Sequence, residues 1–246
     1  ALKSLGVKKE RYDVIRPGTL ILMRFLQKVG CKTLISSGVG VREGLYLSDL
    51  LRHNNDRFPH GFNPSLRYLL DRHTLEPKFS NQLAQVSLTL FDLLQTHFKL
   101  HAEHRRLLNI AAKLAKVGAS VHFYSYHKNS QYLVQSALEY GYTHEEILTI
   151  TALVRFHKKR RVSKLFYEHY DSLLPSHKTL NRLNLLLAIA DALLAHRPRT
   201  VDFELFFTKN HEIEVHAERN SRLYLASEQL RSLGVEKEIG VKIILC

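Results

Sequence analysis

The most chemically pointed stretch of this 246-residue chain is Arg155-Phe156-His157-Lys158-Lys159-Arg160-Arg161-Val162-Ser163-Lys164, with six fixed positive charges and no acid. At helical spacing those charges fall around the whole circumference, so one face of a regular helix does not account for them. A helix C-terminus running into a loop does, because cations there meet the negative end of the helix dipole. Such a strip suits a polyanion, whose phosphates release counterions on contact. A solvated basic patch has the same composition.

Histidines form the second feature. His97, His101 and His104 share one face if a single helix runs through Leu100. Two histidines at i, i+4 can share a metal. No Asp or Glu stands in a clear partner position, however, and Arg105 and Arg106 follow. His127 lies in Tyr126-His127-Lys128-Asn129-Ser130, which reads as the polar start of a helix, where backbone N–H groups can meet an anion. The third feature is the loop Ser36-Ser37-Gly38-Val39-Gly40-Val41-Arg42-Glu43-Gly44. Glycines between a strand and a helix let backbone approach a phosphate, but this is neither a dinucleotide fingerprint nor a P-loop, and a tight turn explains it equally. No serine sits in a nucleophile elbow.

The elements that must carry these groups follow from the apolar spacing. Pro17-Gly18 is expected to open a helix through Leu20, Ile21, Met23, Leu26 and Val29, closed by Gly30. Thr33 to Ser36 is short and β-prone, and Val41 to Leu51 reads as a helix. Asn54 to Pro64 holds two prolines, a glycine and three asparagines and reads as a linker. Helical patterns then cover Phe79–Phe98, His101–Val117, Tyr132–Tyr140, Glu145–Phe156 and Leu180–Ala195, with Thr143 and Glu146 as a capping box. The tail alternates at Val201–Leu205 and Glu212–His216, two strands with a turn near Asn210. A helix over Asn220–Leu233 and a strand over Gly240–Leu245 complete a ββαβ unit.

Composition bounds the rest. A 45% hydrophobic, 24% charged chain can bury a core and is not disordered. The net charge of +13 is uneven: residues 1–200 carry 30 basic and 15 acidic groups, residues 201–246 six and eight. Thirteen of the 15 histidines lie in residues 51–200. The anion-attracting part therefore precedes the tail. Cys31 and Cys246 support no disulfide framework, so a reducing, cytoplasmic setting is expected. No run of about 18 apolar residues exists to span a membrane. Ala1 at the start and Met23 as the only methionine suggest a piece of a longer chain.

Four stretches, in order, resemble the exopolyphosphatase / guanosine pentaphosphate phosphohydrolase (Ppx/GppA) family. Glu10-Arg11-Tyr12-Asp13-Val14-Ile15-Arg16-Pro17-Gly18 is similar to its "ERADVIxPG", and Ser37 through Gly44 to its "SxxGxREG" turn. Gly118 through Tyr132-Leu133-Val134, with His127-Lys128 inside, is similar to its "hHkHsaYLI" helix start, with Asn129 in place of the second histidine. Ala152 through Lys159 is similar to "ALVRYHRK".

The resemblance implies a mainly α fold. An HD-like all-helical domain (65–200) would be preceded by the α/β end of an actin-like (sugar-kinase/Hsp70-like) domain (1–53) and a linker (54–64), and followed by the small ββαβ unit (201–246). It implies hydrolysis of terminal phosphate from polyphosphate or pppGpp with Mg²⁺, on amino-terminal domains absent from these residues. The chain itself would then hold no catalytic group and no metal. The HD dyad is replaced by Ala115-Lys116, with His97 and Asp191 as outlying vestiges. Arg11, Arg42, Glu43, His127, Lys128, Arg155, His157, Lys158, Lys159, Arg160 and Lys164 are the implied substrate contacts. A homodimer is implied as well. A standalone HD-type nucleotide phosphohydrolase and a basic nucleic-acid-binding helical module are the alternatives; no nucleic-acid recognition motif supports the second.

Overall fold

The computed structural model describes residues 2–59, 61–159, 161–208, 210–217, 223–235 and 240–245. The chain divides into two compact units, residues 1–47 and 48–246.

In the first unit, α1 (Tyr12–Val29) starts five residues before Pro17, which lies inside the helix instead of opening it. Proline removes one backbone donor, which interrupts the ladder once without ending it. Gly30 closes α1 at φ 68°, its N–H reaching Leu26 and Gln27 carbonyls, a left-handed cap that glycine adopts without a Cβ penalty. Residues 31–36 form no strand. A lone extended segment leaves its N–H and C=O groups unpaired, and the described residues of this unit offer it no neighbouring strand. α2 (Val41–Leu50) follows, and neither α1 nor α2 buries a residue.

The second unit is helical, with a small sheet. α3 (Pro64–His73) begins where the linker was expected to end; Asn63 Oδ1 accepts from the Leu66 N–H at 2.9 Å and Pro64 takes the first helical position. α4 (Pro77–Phe98) buries a face from Phe79 to Phe98 and stops at Lys99, whose φ is 51°. α5 (Glu103–Leu114) is therefore a separate helix, and His97 does not share a face with His101 and His104. A 3-10 turn, Val117–Ser120, leads to α6 (Tyr126–Ala137), which starts earlier than its apolar pattern because its first turn is polar. α7 (His144–Phe156) carries the expected capping box: the Thr143 N–H donates to Glu146 and the Glu146 N–H to Thr143 Oγ1. α8 (Lys164–His169) is a short helix that periodicity does not disclose, capped by Ser163.

α9 (His177–Leu193) runs through the core and buries residues on every side, among them Leu183, Leu186, Leu187 and Ile189. An all-round apolar surface marks a central helix. Around it pack α4, α5, α7 and α10 (Tyr224–Leu233). β1 (Phe203–Phe207) pairs antiparallel with β2 (Glu212–Ala217), placing Leu205 opposite Val215. β2 pairs parallel with β3 (Lys242–Leu245), placing Ile213 opposite Ile243, so α10 lies in the crossover a parallel pair requires. The expected ββαβ order is present; the proposed helix start at Asn220, and Cys246, lie outside the described residues.

Candidate functional site

The site is built where the 3-10 turn, the start of α6, the end of α7 and α9 converge. Gly118 makes that approach possible. A Cβ there would lie 2.2 Å from Ser130 N and from Tyr126 O, inside any tolerated contact. The Gly118 N–H donates to Ser130 Oγ at 2.8 Å, and that hydroxyl donates on to the Ala115 carbonyl at 3.1 Å. The turn is thereby fixed against α6, with Lys116 directed inward.

Lys116 Nζ lies 2.6 Å from Asp191 Oδ1 on α9, and each side chain is 19% exposed. Burial works to raise the Asp191 carboxyl, but the neighbouring Lys116 ammonium and other positive groups outweigh it and hold it below the usual carboxylate value. Burial pulls Lys116 down from the ordinary lysine value, and Asp191 opposes that. Nζ also stands 4.2 Å from the Phe79 ring centre, and the Arg197 guanidinium 3.7 Å from the same ring. Arg197 has φ 53°, an uncommon conformation for a residue with a Cβ, and reaches Glu76 at 2.8 Å.

Behind this pair lies His157, 1% exposed. Its Nδ1 is 2.8 Å from the Val154 carbonyl and must carry the proton, so Nε2 accepts from the Tyr126 hydroxyl at 3.1 Å. Burial lowers the His157 pKa to about 4, and burial raises that of Tyr126. Both therefore remain neutral at ordinary pH.

The basic strip lies outward of this floor. α7 ends at Phe156, and residues 157–159 run into turns, as the charge distribution requires. The loop is tied to α9: Asn184 Nδ2 donates to the Lys159 carbonyl at 2.6 Å, and the Val162 N–H donates to Asn181 Oδ1 at 2.8 Å. Lys158, Lys159 and Lys128 are exposed, and Lys158 stands 4.4 Å over the Tyr126 ring. His127 and Arg155 are half-buried beside them. His127 Nδ1 and Arg155 Nη1 are both buried without a hydrogen-bond partner. Burial lowers the His127 pKa, and Arg155, Lys158, Lys128 and Lys159 lower it further by repulsion. Cations thus converge on one patch, and two buried side-chain nitrogens within it have no hydrogen-bond partner, where buried polar groups ordinarily find one.

The implied contacts thus divide. His127, Lys128, Arg155, Lys158 and Lys159 are brought together. His157 is not on the strip but behind it, with both nitrogens engaged, because the last turn of α7 faces the core. Lys164 opens α8 and pairs with Glu168 at 3.5 Å. Arg160 lies outside the described residues. Arg11, Arg42 and Glu43 belong to the first unit and are exposed there. The glycine loop leads into α2, and a Cβ on Gly40 would meet only the end of the flexible Glu43 side chain, 2.6 Å from Oε2. His97 packs its ring on Phe207 and His211 of the β-hairpin, at 5.8 and 5.1 Å between centres, whereas Asp191 is taken up by Lys116.

A divalent metal does not fit these residues. The half-buried Asp191 carboxylate is neutralised by the Lys116 ammonium, and among the described residues no three His, Cys, Asp or Glu side chains gather. Tyr126, Phe79 and Arg197 have no mark in the sequence as site residues; only the polar start of α6 hints at the first.

Residues 63–238 match the family model described as Ppx/GppA phosphatase, domain III. The chain is 25% identical over its whole length to a guanosine-5'-triphosphate,3'-diphosphate pyrophosphatase of Pseudoalteromonas translucida, covering 49% of that protein. It is 23% identical, over 61% of its length, to a protein of the same name from Aeromonas hydrophila subsp. hydrophila, covering 30% of it. The chain spans about half the length of the first of these relatives and less of the second. No described helix is long and apolar enough to cross a membrane. With most of its second unit matched, the chain belongs to the Ppx/GppA phosphatase family through that family's domain III.

Proposed function

We propose that this chain is the substrate-binding carboxy-terminal part of a cytoplasmic phosphoanhydride hydrolase that acts on polyphosphate or pppGpp. The observation that carries the reading is the cluster around His127, where Arg155, Lys128, Lys158 and Lys159 converge and two buried nitrogens, His127 Nδ1 and Arg155 Nη1, have no partner. A chain of phosphates needs repeated charge-assisted hydrogen bonds, and this strip supplies them. Hydrolysis belongs to preceding actin-like domains of the parent protein, of which residues 1–53 would be the end; Mg²⁺ would act there. Arg11, Arg42 and Glu43 would face the cleft from that side. The homodimer rests on the family resemblance alone, and sedimentation of the purified chain tests it.

Binding measured with polyphosphate, pppGpp and RNA at matched ionic strength, alongside phosphate release with Mg²⁺, tests the reading. Salt-sensitive binding of polyphosphate or pppGpp without phosphate release is expected. Tighter binding of RNA than of either would favour a nucleic-acid module, and robust release would contradict the division of labour.

A further inference from the structure

A pocket of about 440 Å³, within the range of small-molecule sites, shares Lys158 with the strip. Its floor is the Lys116–Asp191 pair, and its walls come from α4, α9 and α10. The apolar lining includes Ala119, Ala188, Ala192, Leu194 and Leu233.

Its charges are unequal. Lys116 is matched by Asp191 and Arg197 by Glu76, while Lys158 has no carboxylate partner among the described residues and rests only on the Tyr126 ring. Thr74 lines the same space, and its hydroxyl is buried without a hydrogen-bond partner. One uncompensated cation and one unspent hydroxyl suit an anionic oxygen group such as phosphate. Asp191 and Glu76 disfavour a ligand of high negative charge, which separates this pocket from the polyanion strip.

Phe123 lines the pocket and is 73% exposed. A large apolar ring kept in water is the kind of surface on which a planar heterocycle stacks. The neighbouring aromatic faces are already used: cations stand over Phe79 and Tyr126, both 6% exposed.

We propose that this pocket binds a mononucleotide. The phosphate meets Lys158 and Thr74, and the base stacks on Phe123. Because α10 supplies Gln229, Ser232 and Leu233 to one wall and α9 supplies Asp191 to the other, an occupant braces the small α+β unit against the central helix.

Calorimetry on the full chain with AMP, GMP and UMP, against adenosine, ribose 5-phosphate and inorganic phosphate, tests this. Mononucleotides should bind at least about tenfold more tightly than any of the three partial ligands. Phe123→Ala, at an exposed position, should weaken nucleotide binding about fivefold or more. It should leave ribose 5-phosphate and polyphosphate binding unchanged. Amide hydrogen exchange across residues 224–233 should slow on adding GMP. Inorganic phosphate binding as well as GMP, unchanged affinity in Phe123→Ala, or no protection of α10 would each overturn the proposal. Loss of polyphosphate binding alone would count against the strip and not against this pocket.

Discussion

The Lys116 ammonium stands 2.6 Å from the Asp191 carboxylate, and both side chains are about four-fifths withdrawn from water. Removing one partner strands the other charge, whereas removing both does not. Lys116→Met or Asp191→Asn should each cost about 2–4 kcal/mol, toward the lower part of the range for buried pairs because some water contact survives. Lys116→Met combined with Asp191→Leu should recover much of the loss. Urea unfolding of the three variants measures it.

His157 makes stability depend on pH. Its folded pKa, about 4, lies below the ordinary value of 6.5. Between those values the unfolded chain binds the proton and the folded chain does not, so stability is full above about pH 6.5 and falls as pH drops toward 4. The total is about 3 kcal/mol at 1.4 kcal/mol per pKa unit. His157→Gln should flatten that part of the slope, read from unfolding midpoints at successive pH values.

His127 links binding to protons in the opposite way. Burial and four cations disfavour its charged form in the free chain. A bound phosphate counters that repulsion and raises its pKa, so polyphosphate affinity should increase as pH falls from about 7.5 to 6. His127→Asn should remove most of this dependence while leaving binding at pH 7.5 within about threefold.

Gly118 and Gly44 form a contrasting pair. A Cβ at 118 would meet backbone atoms at 2.2 Å, while at 44 nothing lies within 4 Å. Gly118→Ala should destabilise by about 1–3 kcal/mol or more through overpacking. Gly44→Ala, inside α2, should be neutral or stabilising by up to about 1 kcal/mol. Thermal unfolding separates the two.

The sequence made the long elements legible because their signals are local. The capping box at Thr143 and Glu146, the Gly30 stop and the alternating strands before and after Asn210 each need only a few neighbouring residues. Residues 33–36 look like a strand because side-chain pattern says nothing about whether a partner strand exists. Lys99 ends α4 in a left-handed conformation more typical of glycine, so the split between His97 and His101 has no composition cue. The strip was legible as charge; its shape was not. That His157 turns inward, and that Arg197 comes to lie over Phe79 from 118 positions away, depends on packing that no spacing encodes.

The claim that the strip around His127 is a polyanion receptor is tested most directly by polyphosphate affinity as a function of salt. The measurement compares the intact chain with a Lys128→Ala, Lys158→Ala, Lys159→Ala variant. Affinity should fall steeply and linearly on a logarithmic salt scale, and the variant should show a slope shallower by about two to three. An unchanged slope, in a variant whose unfolding midpoint matches the parent, would contradict it.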